Sequence, residues 1–233
     1  MTLPKPASKR TPGRASAVPA PRSYHHGDLR ATLLATAATW LDEHGAAALT
    51  LREVAKAAGV SHAAPYHHFA GLDDLLAGVA ELAFVRLGDA LAAAAARAAR
   101  RTPADALLDI GEAYVRTALA HPAQFRLMFG PTLQGKSAHP GLKQAADRAF
   151  GVLLDAATAH SPGRGLEVAL AGWSLSHGAA NLLIDGAFTG LPLGGAQAAA
   201  LRKLDPGALV RRMAAPLIAS AAGAPSKRAR TKN

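Results

Sequence analysis

Residues 50–69, TLREVAKAAGVSHAAPYHHF, leave the chain little conformational choice. Thr50 and Glu53 have the Thr-x-x-Glu spacing of a capping box, in which the hydroxyl bonds the third N–H on and the carboxylate reaches back. Leu49 and Val54 flank the cap where a hydrophobic staple closes a helix entry. Leu51, Val54, Ala55 and Ala58 share one helical face, which predicts a helix over 51–58. Gly59 follows where a left-handed helix-ending residue is needed. Val60 then turns inward, and Ser61 is placed to N-cap a second helix running to about residue 68. Pro65 lacks an N–H and pushes Ala64 away from α geometry, which predicts a tight, 3₁₀-like first turn. Helix, glycine turn and capped helix make a helix-turn-helix unit.

In such units the second helix enters the DNA major groove. The run TLREVAKAAGVS, followed by Tyr66-His67-His68-Phe69 and Asp73-Asp74-Leu75-Leu76, resembles the DNA-binding domain of TetR-family transcriptional regulators over residues 24–85. Further on, Trp173-x-x-x-His177-Gly178, with His121-Pro122 and residues 125–129, resembles a C-terminal domain type of one branch of that family. The resemblance implies an all-α fold: a three-helix DNA-binding head followed by a helical ligand-binding and dimerisation domain. It also implies a homodimer formed through the last two long helices, binding double-stranded DNA at a pseudo-palindromic operator. A small-molecule effector would enter a helical pocket, move the helix beginning near Leu72 and release the operator, making the chain a repressor.

The site residues follow from pattern and resemblance together. Ser61, His62, Tyr66, His67 and His68 supply polar groups for phosphates and base edges. Thr50 and Arg52 stand at a helix N-terminus, whose free N–H groups suit phosphate. By the resemblance, Arg52 also reaches a base edge. The family often carries Lys where this chain has Ala70 and Leu72, which shifts phosphate binding toward the N-terminal arm and Arg22. Tyr114, Phe125, Met128, Phe129, Trp173 and His177 are the pocket candidates, with plain core as the alternative. Ala169, Gly172, Ser176, Ala179 and Ala180 form a small-residue surface that would permit close helix approach in a dimer.

The remaining helices follow from period and punctuation. They are expected over 28–44, with Leu29, Leu33, Ala37, Trp40 and Leu41 inward, and over 72–99, 104–119, 123–129, 142–160, 165–188 and 206–220. Residues 189–195 read as a Gly-rich loop. No run of alternating β-branched residues marks a strand. The organisation is therefore a basic arm (1–22), a helix-turn-helix domain (23–70), an effector-binding and dimerisation domain (71–221) and a basic tail (222–233).

Charge separates the tails from the body. Of the formal +10, residues 1–22 hold Lys5, Lys9, Arg10, Arg14 and Arg22 with no acid, and residues 224–233 hold Lys227, Arg228, Arg230 and Lys232. The body between is close to neutral. Such arms attract polyanions regardless of sequence, so a sequence-indifferent architectural DNA binder is the alternative reading. No apolar stretch suits a signal peptide or a membrane span. With no cysteine, the chain suits a cytoplasmic protein.

Other chemistry finds little support. His62, His67 and His68 lack the i, i+4 spacing of a zinc pair and have no acidic or Cys partner, so no metal and no cofactor are expected. Ser176-His177 with Asp185 offers hydrolase residue types, but neighbours on a helix point apart and no Gly-x-Ser-x-Gly elbow is present, so no enzyme is expected.

Overall fold

A computed structural model describes residues 28–98, 101–131, 133 and 139–222. Among these there are nine α-helices and no strand. The expected arm and tail, and Arg22 with them, lie outside the described residues.

Helix α1 (Leu29–His44) begins at Asp28, which is the N-cap itself and accepts the Ala31 N–H at 2.8 Å. Leu33, Leu34, Ala37, Ala38 and Leu41 face the core. Trp40 is only partly buried. It stacks on His44 at 4.2 Å, and its indole N–H finds no partner among the described residues. Helix α2 (Leu51–Ala57) starts at Thr50, whose Oγ accepts the Glu53 N–H at 3.1 Å. Leu49 and Val54 close the entry, both essentially buried. Gly59 takes the left-handed conformation at φ 69° that the turn requires.

The second motif element departs from expectation. Instead of a capped helix over 61–68, the chain forms a single 3₁₀ segment, Ala64–His67. Its N-cap is Ala63 with no side-chain hydrogen bond, so Ser61 does not cap it. Pro65 is the physical reason. It is fully buried, and its ring nitrogen has no proton to donate, so the bonds from Tyr66 to Ala63 and from His68 to Pro65 close in the tighter pattern, with one α-type bond at Phe69.

Helix α3 (Leu72–Ala98) is the spine. Asp74 in its first turn accepts the Ala70 N–H at 3.0 Å and ties it to the motif. It packs against α1 and against three later helices: α4 (Pro103–Ala120), α5 (Pro122–Phe129) and α6 (Pro140–His160). Gly78 sits at the α1 crossing, where a Cβ would come within 2.6 Å of Leu34. Helix α4 is opened by a Thr102–Asp105 capping box that the sequence reading did not single out.

Helix α7 (Gly165–Ile184) ends four residues earlier than expected. Gly186 turns left-handed at φ 67° and a 3₁₀ segment, Ala187–Gly190, replaces the last turn. A short helix, α8 (Gly195–Lys203), stands in a stretch read from sequence as loop and connection. Helix α9 (Pro206–Ala222) packs on α4 and α7.

One polar cluster joins the motif to the body. His121, at the start of α5, has no side-chain cap of its own, and Asp42 of α1 takes that place. Its Oδ1 accepts the Gln124 backbone N–H at 3.4 Å, and its Oδ2 accepts the Gln124 side-chain amide at 2.6 Å and lies 2.9 Å from His121 Nδ1. Gln124 is 2% exposed, and its Oε1 accepts Arg86 of α3 at 2.8 Å.

Candidate functional site

The N-terminus of α2 presents Thr50 and Arg52 to solvent. Thr50 uses one oxygen lone pair in its cap and keeps its hydroxyl proton for an acceptor such as phosphate. Arg52 forms no ion pair among the described residues, leaving its guanidinium available.

The 3₁₀ segment divides its residues sharply. Pro65 and Phe69 are buried and joined by the Phe69 N–H to Pro65 carbonyl bond at 2.9 Å. Arg30 of α1 lies over the Phe69 ring at 5.5 Å, a cation–π contact. Between the two anchors, Tyr66, His67 and His68 are all exposed, Tyr66 at 59%. Ser61 and His62 are exposed on the turn before them. The seven described candidates for DNA contact are thus all accessible, on two packed elements. An exposed tyrosine held between buried anchors is poorly explained by packing and suits a phosphate or base contact.

Charge on this unit is nearly balanced. Residues 28–70 carry Arg30, Arg52 and Lys56 against Asp28, Asp42, Glu43 and Glu53. Hydrogen bonding and shape must therefore do more here than net charge. Among the described residues no cluster of His, Cys, Asp or Glu could hold a metal ion, and no helix is long and apolar enough to cross a membrane.

A second candidate site lies in the body. A cavity of about 620 Å³ lies among α3, α4, α6, α7 and α9 and the end of α5. Tyr114, Phe129 and Trp173 line it, as expected of pocket residues. The sequence reading missed Phe84, Leu87 and Leu91 of α3 and Phe150 and Leu153 of α6. Their helical period identifies them only as inward-facing. Phe125 and His177 instead border a separate recess of about 450 Å³, beside Gly45 and Ala46 at the end of α1. Met128 is 3% exposed and touches only a void of about 10 Å³, so it is core.

Between cavity and recess stands a hydrogen-bonded wall. Trp173 donates its indole N–H to the Tyr114 hydroxyl at 3.3 Å, and that hydroxyl lies 2.9 Å from His177 Nδ1. All three groups are satisfied when Tyr114 donates to a neutral His177 protonated on Nε2. Burial pushes the Tyr114 pKa up and the His177 pKa down, favouring the same neutral state. Phe129 packs edge-on against the His177 ring at 4.6 Å. Asp185 is ion-paired with Arg126, and Ser176 and His177 face a cavity and a recess respectively. The three do not assemble as a catalytic triad.

The small-residue surface on α7 faces inward. Ala169, Ser176, Ala179 and Ala180 are each no more than 5% exposed within the single chain, and Gly172 lines the cavity. The outward stripe is Leu166, Leu170, Ser174, Gly178 and Leu182, repeating every four residues. The first and last leucines are 55% and 46% exposed.

Comparison with known proteins agrees with this architecture. Residues 33–79 match the model of bacterial regulatory proteins of the tetR family, and residues 107–205 match that of a tetracyclin repressor-like C-terminal domain. A protein of unknown function from Rhodococcus sp. RHA1 is 31% identical over 85% of this chain and 97% of its own, with a TM-score of 0.68. The TetR family transcriptional regulator PfmR from Thermus thermophilus is 25% identical over 80% of this chain and 96% of its own, with a TM-score of 0.54. The regulator SCO7222 from Streptomyces coelicolor, at 21% identity, 82% and 95% coverage and a TM-score of 0.57, shares the fold. No curated protein matches the chain. With both of its helical parts matched, the chain belongs to the TetR family of DNA-binding transcriptional regulators, proteins that are not enzymes.

Proposed function

We propose that this regulator is a cytoplasmic homodimeric repressor, released from a pseudo-palindromic operator when a small molecule fills the cavity. The observation that carries the reading is the course of α3. Its first turn is bonded to the DNA-binding motif through Asp74 and Ala70, and Phe84, Leu87 and Leu91 further along the same helix line the cavity. A ligand that binds the two positions of this helix with different affinity must shift the motif.

The second copy is assigned to the outward faces of α7 and α9. Leu166, Leu170 and Leu182 on α7 and Met213 and Leu217 on α9 are each at least 38% exposed, apolar side chains that a second copy would cover. Pairing two such faces by a two-fold axis makes a four-helix interface and sets two motifs for half-sites about one helical turn, roughly 34–36 Å, apart. Thr50, Arg52, Ser61, His62, Tyr66, His67 and His68 are the proposed DNA contacts, with Arg22 of the arm beside them.

The test is fluorescence-anisotropy binding to DNA from the protein's own upstream region, against scrambled DNA of equal length, at two salt concentrations. Specific binding that survives deletion of residues 1–20 and 224–233, and is lost in Tyr66→Ala, supports the reading. Equal affinity for both DNAs that collapses with salt and with tail removal would instead mean that charge alone binds.

A further inference from the structure

We propose that the cavity takes an uncharged, mainly apolar molecule carrying one hydroxyl or carbonyl oxygen, which docks on Ser176. The inference rests on the reading of this cavity as the effector site and names the chemistry of its ligand. A volume of about 620 Å³ suits a small organic molecule. The interior is built from side chains such as Phe84, Leu87, Leu91, Ile110, Phe150 and Leu153.

Charge is confined to the rim. The charged residues of the lining are Asp147, Arg164 and Glu167, all exposed, and Asp147 is already paired with Lys143. A carboxylate or ammonium carried to the depth of the cavity would lose its hydration with no opposite charge to meet it.

The polar groups at depth are unequally committed. The Tyr114 hydroxyl is engaged by Trp173 and His177 on the far wall. Ser176 differs. The residue is 5% exposed, lines the cavity and makes no hydrogen bond to any described residue. Its hydroxyl is reached from the cavity, so an oxygen of a molecule held there can bond it. Gly111 of α4 stands opposite, where a Cβ would lie 3.2 Å from Ser176 Oγ. The absence of that Cβ lets the hydroxyl lie close to the α4 backbone while Ser176 still lines the cavity. A serine hydroxyl both donates and accepts, so alcohols, ketones and esters all satisfy it.

The test uses the full chain and 1,6-diphenylhexatriene, a hydrocarbon dye with no oxygen to dock on Ser176, whose fluorescence reports apolar sites. Displacement is measured with decanol, its matching methyl ketone, decanoate and decylammonium. The alcohol and ketone should displace the dye at about tenfold lower concentration than either ion, and Ser176→Ala should weaken the alcohol and ketone about tenfold while leaving the dye unchanged. Displacement by decanoate or decylammonium at equal or lower concentration overturns the proposal. So does unchanged decanol affinity in Ser176→Ala, or failure of the wild-type protein to bind dye and decanol. If decanol binds as expected and DNA affinity does not respond, the ligand class stands and the effector reading falls.

Discussion

Asp42 of α1 caps α5 through Gln124, taking both its backbone and its side-chain N–H, at 3.4 and 2.6 Å. A residue of the DNA-binding unit thus completes a helix whose other end, Phe129, lines the cavity. Asp42→Ala should uncap the α5 N-terminus and leave the Gln124 amide nitrogen with only its longer bond to the Ala38 carbonyl, at 3.4 Å. The expected loss is about 1–3 kcal/mol in urea unfolding. Asp42→Asn keeps an acceptor oxygen and should recover part of it. Equal, negligible losses in both variants would show that the cap contributes nothing.

Phe69 and Tyr66, three residues apart, should separate stability from DNA binding. Phe69 is 2% exposed, so Phe69→Ala should cost about 3–5 kcal/mol of unfolding free energy. Tyr66 is 59% exposed, so Tyr66→Ala should stay within about 0.5 kcal/mol of wild type while losing operator affinity. Thermal melts beside anisotropy titrations read both effects. A Tyr66→Ala protein with full operator affinity removes Tyr66 from the contact set.

On the outward stripe, Leu166→Asp with Leu182→Asp should convert a dimer to a monomer without unfolding it. Both side chains are already about half exposed in the single chain, so the charge is tolerated there but not between two copies. Size-exclusion chromatography with light scattering reads the mass. A double variant that stays dimeric would place the interface elsewhere.

Acid should destabilise the fold through His177. Burial holds its pKa below the usual 6.5, so the unfolded chain takes up the proton first as pH falls. The stability tied to the neutral ring is present above that value and is lost as pH drops through it. Melting temperature should therefore fall as pH drops below about 6.5, and His177→Gln should flatten part of that fall. A variant with the same pH slope as wild type would rule His177 out as the source.

The elements that sequence located well are those closed by local chemistry. Thr50 caps α2, Gly59 ends the turn and Asp28 opens α1, because each needs only residues within a turn of itself. The misses are of another kind. Helix α8 has no buried residue and so no apolar period to betray it. The small-residue face of α7 was assigned to a partner when it belongs to this chain's own core. Helical period finds a face but does not say which neighbour covers it.

The sequence by itself determined an all-helical chain with a helix-turn-helix near its start, since caps, glycines and a 3.6-residue period act over short distances. Tertiary structure alone decided that Asp42 would cap a distant helix through Gln124, 82 residues further on. It alone gathered six helices around one cavity and placed Ser176 in its lining with no side-chain hydrogen bond among the described residues. Those relations depend on which helices lie side by side. That follows from the packing of whole faces, which no local pattern encodes.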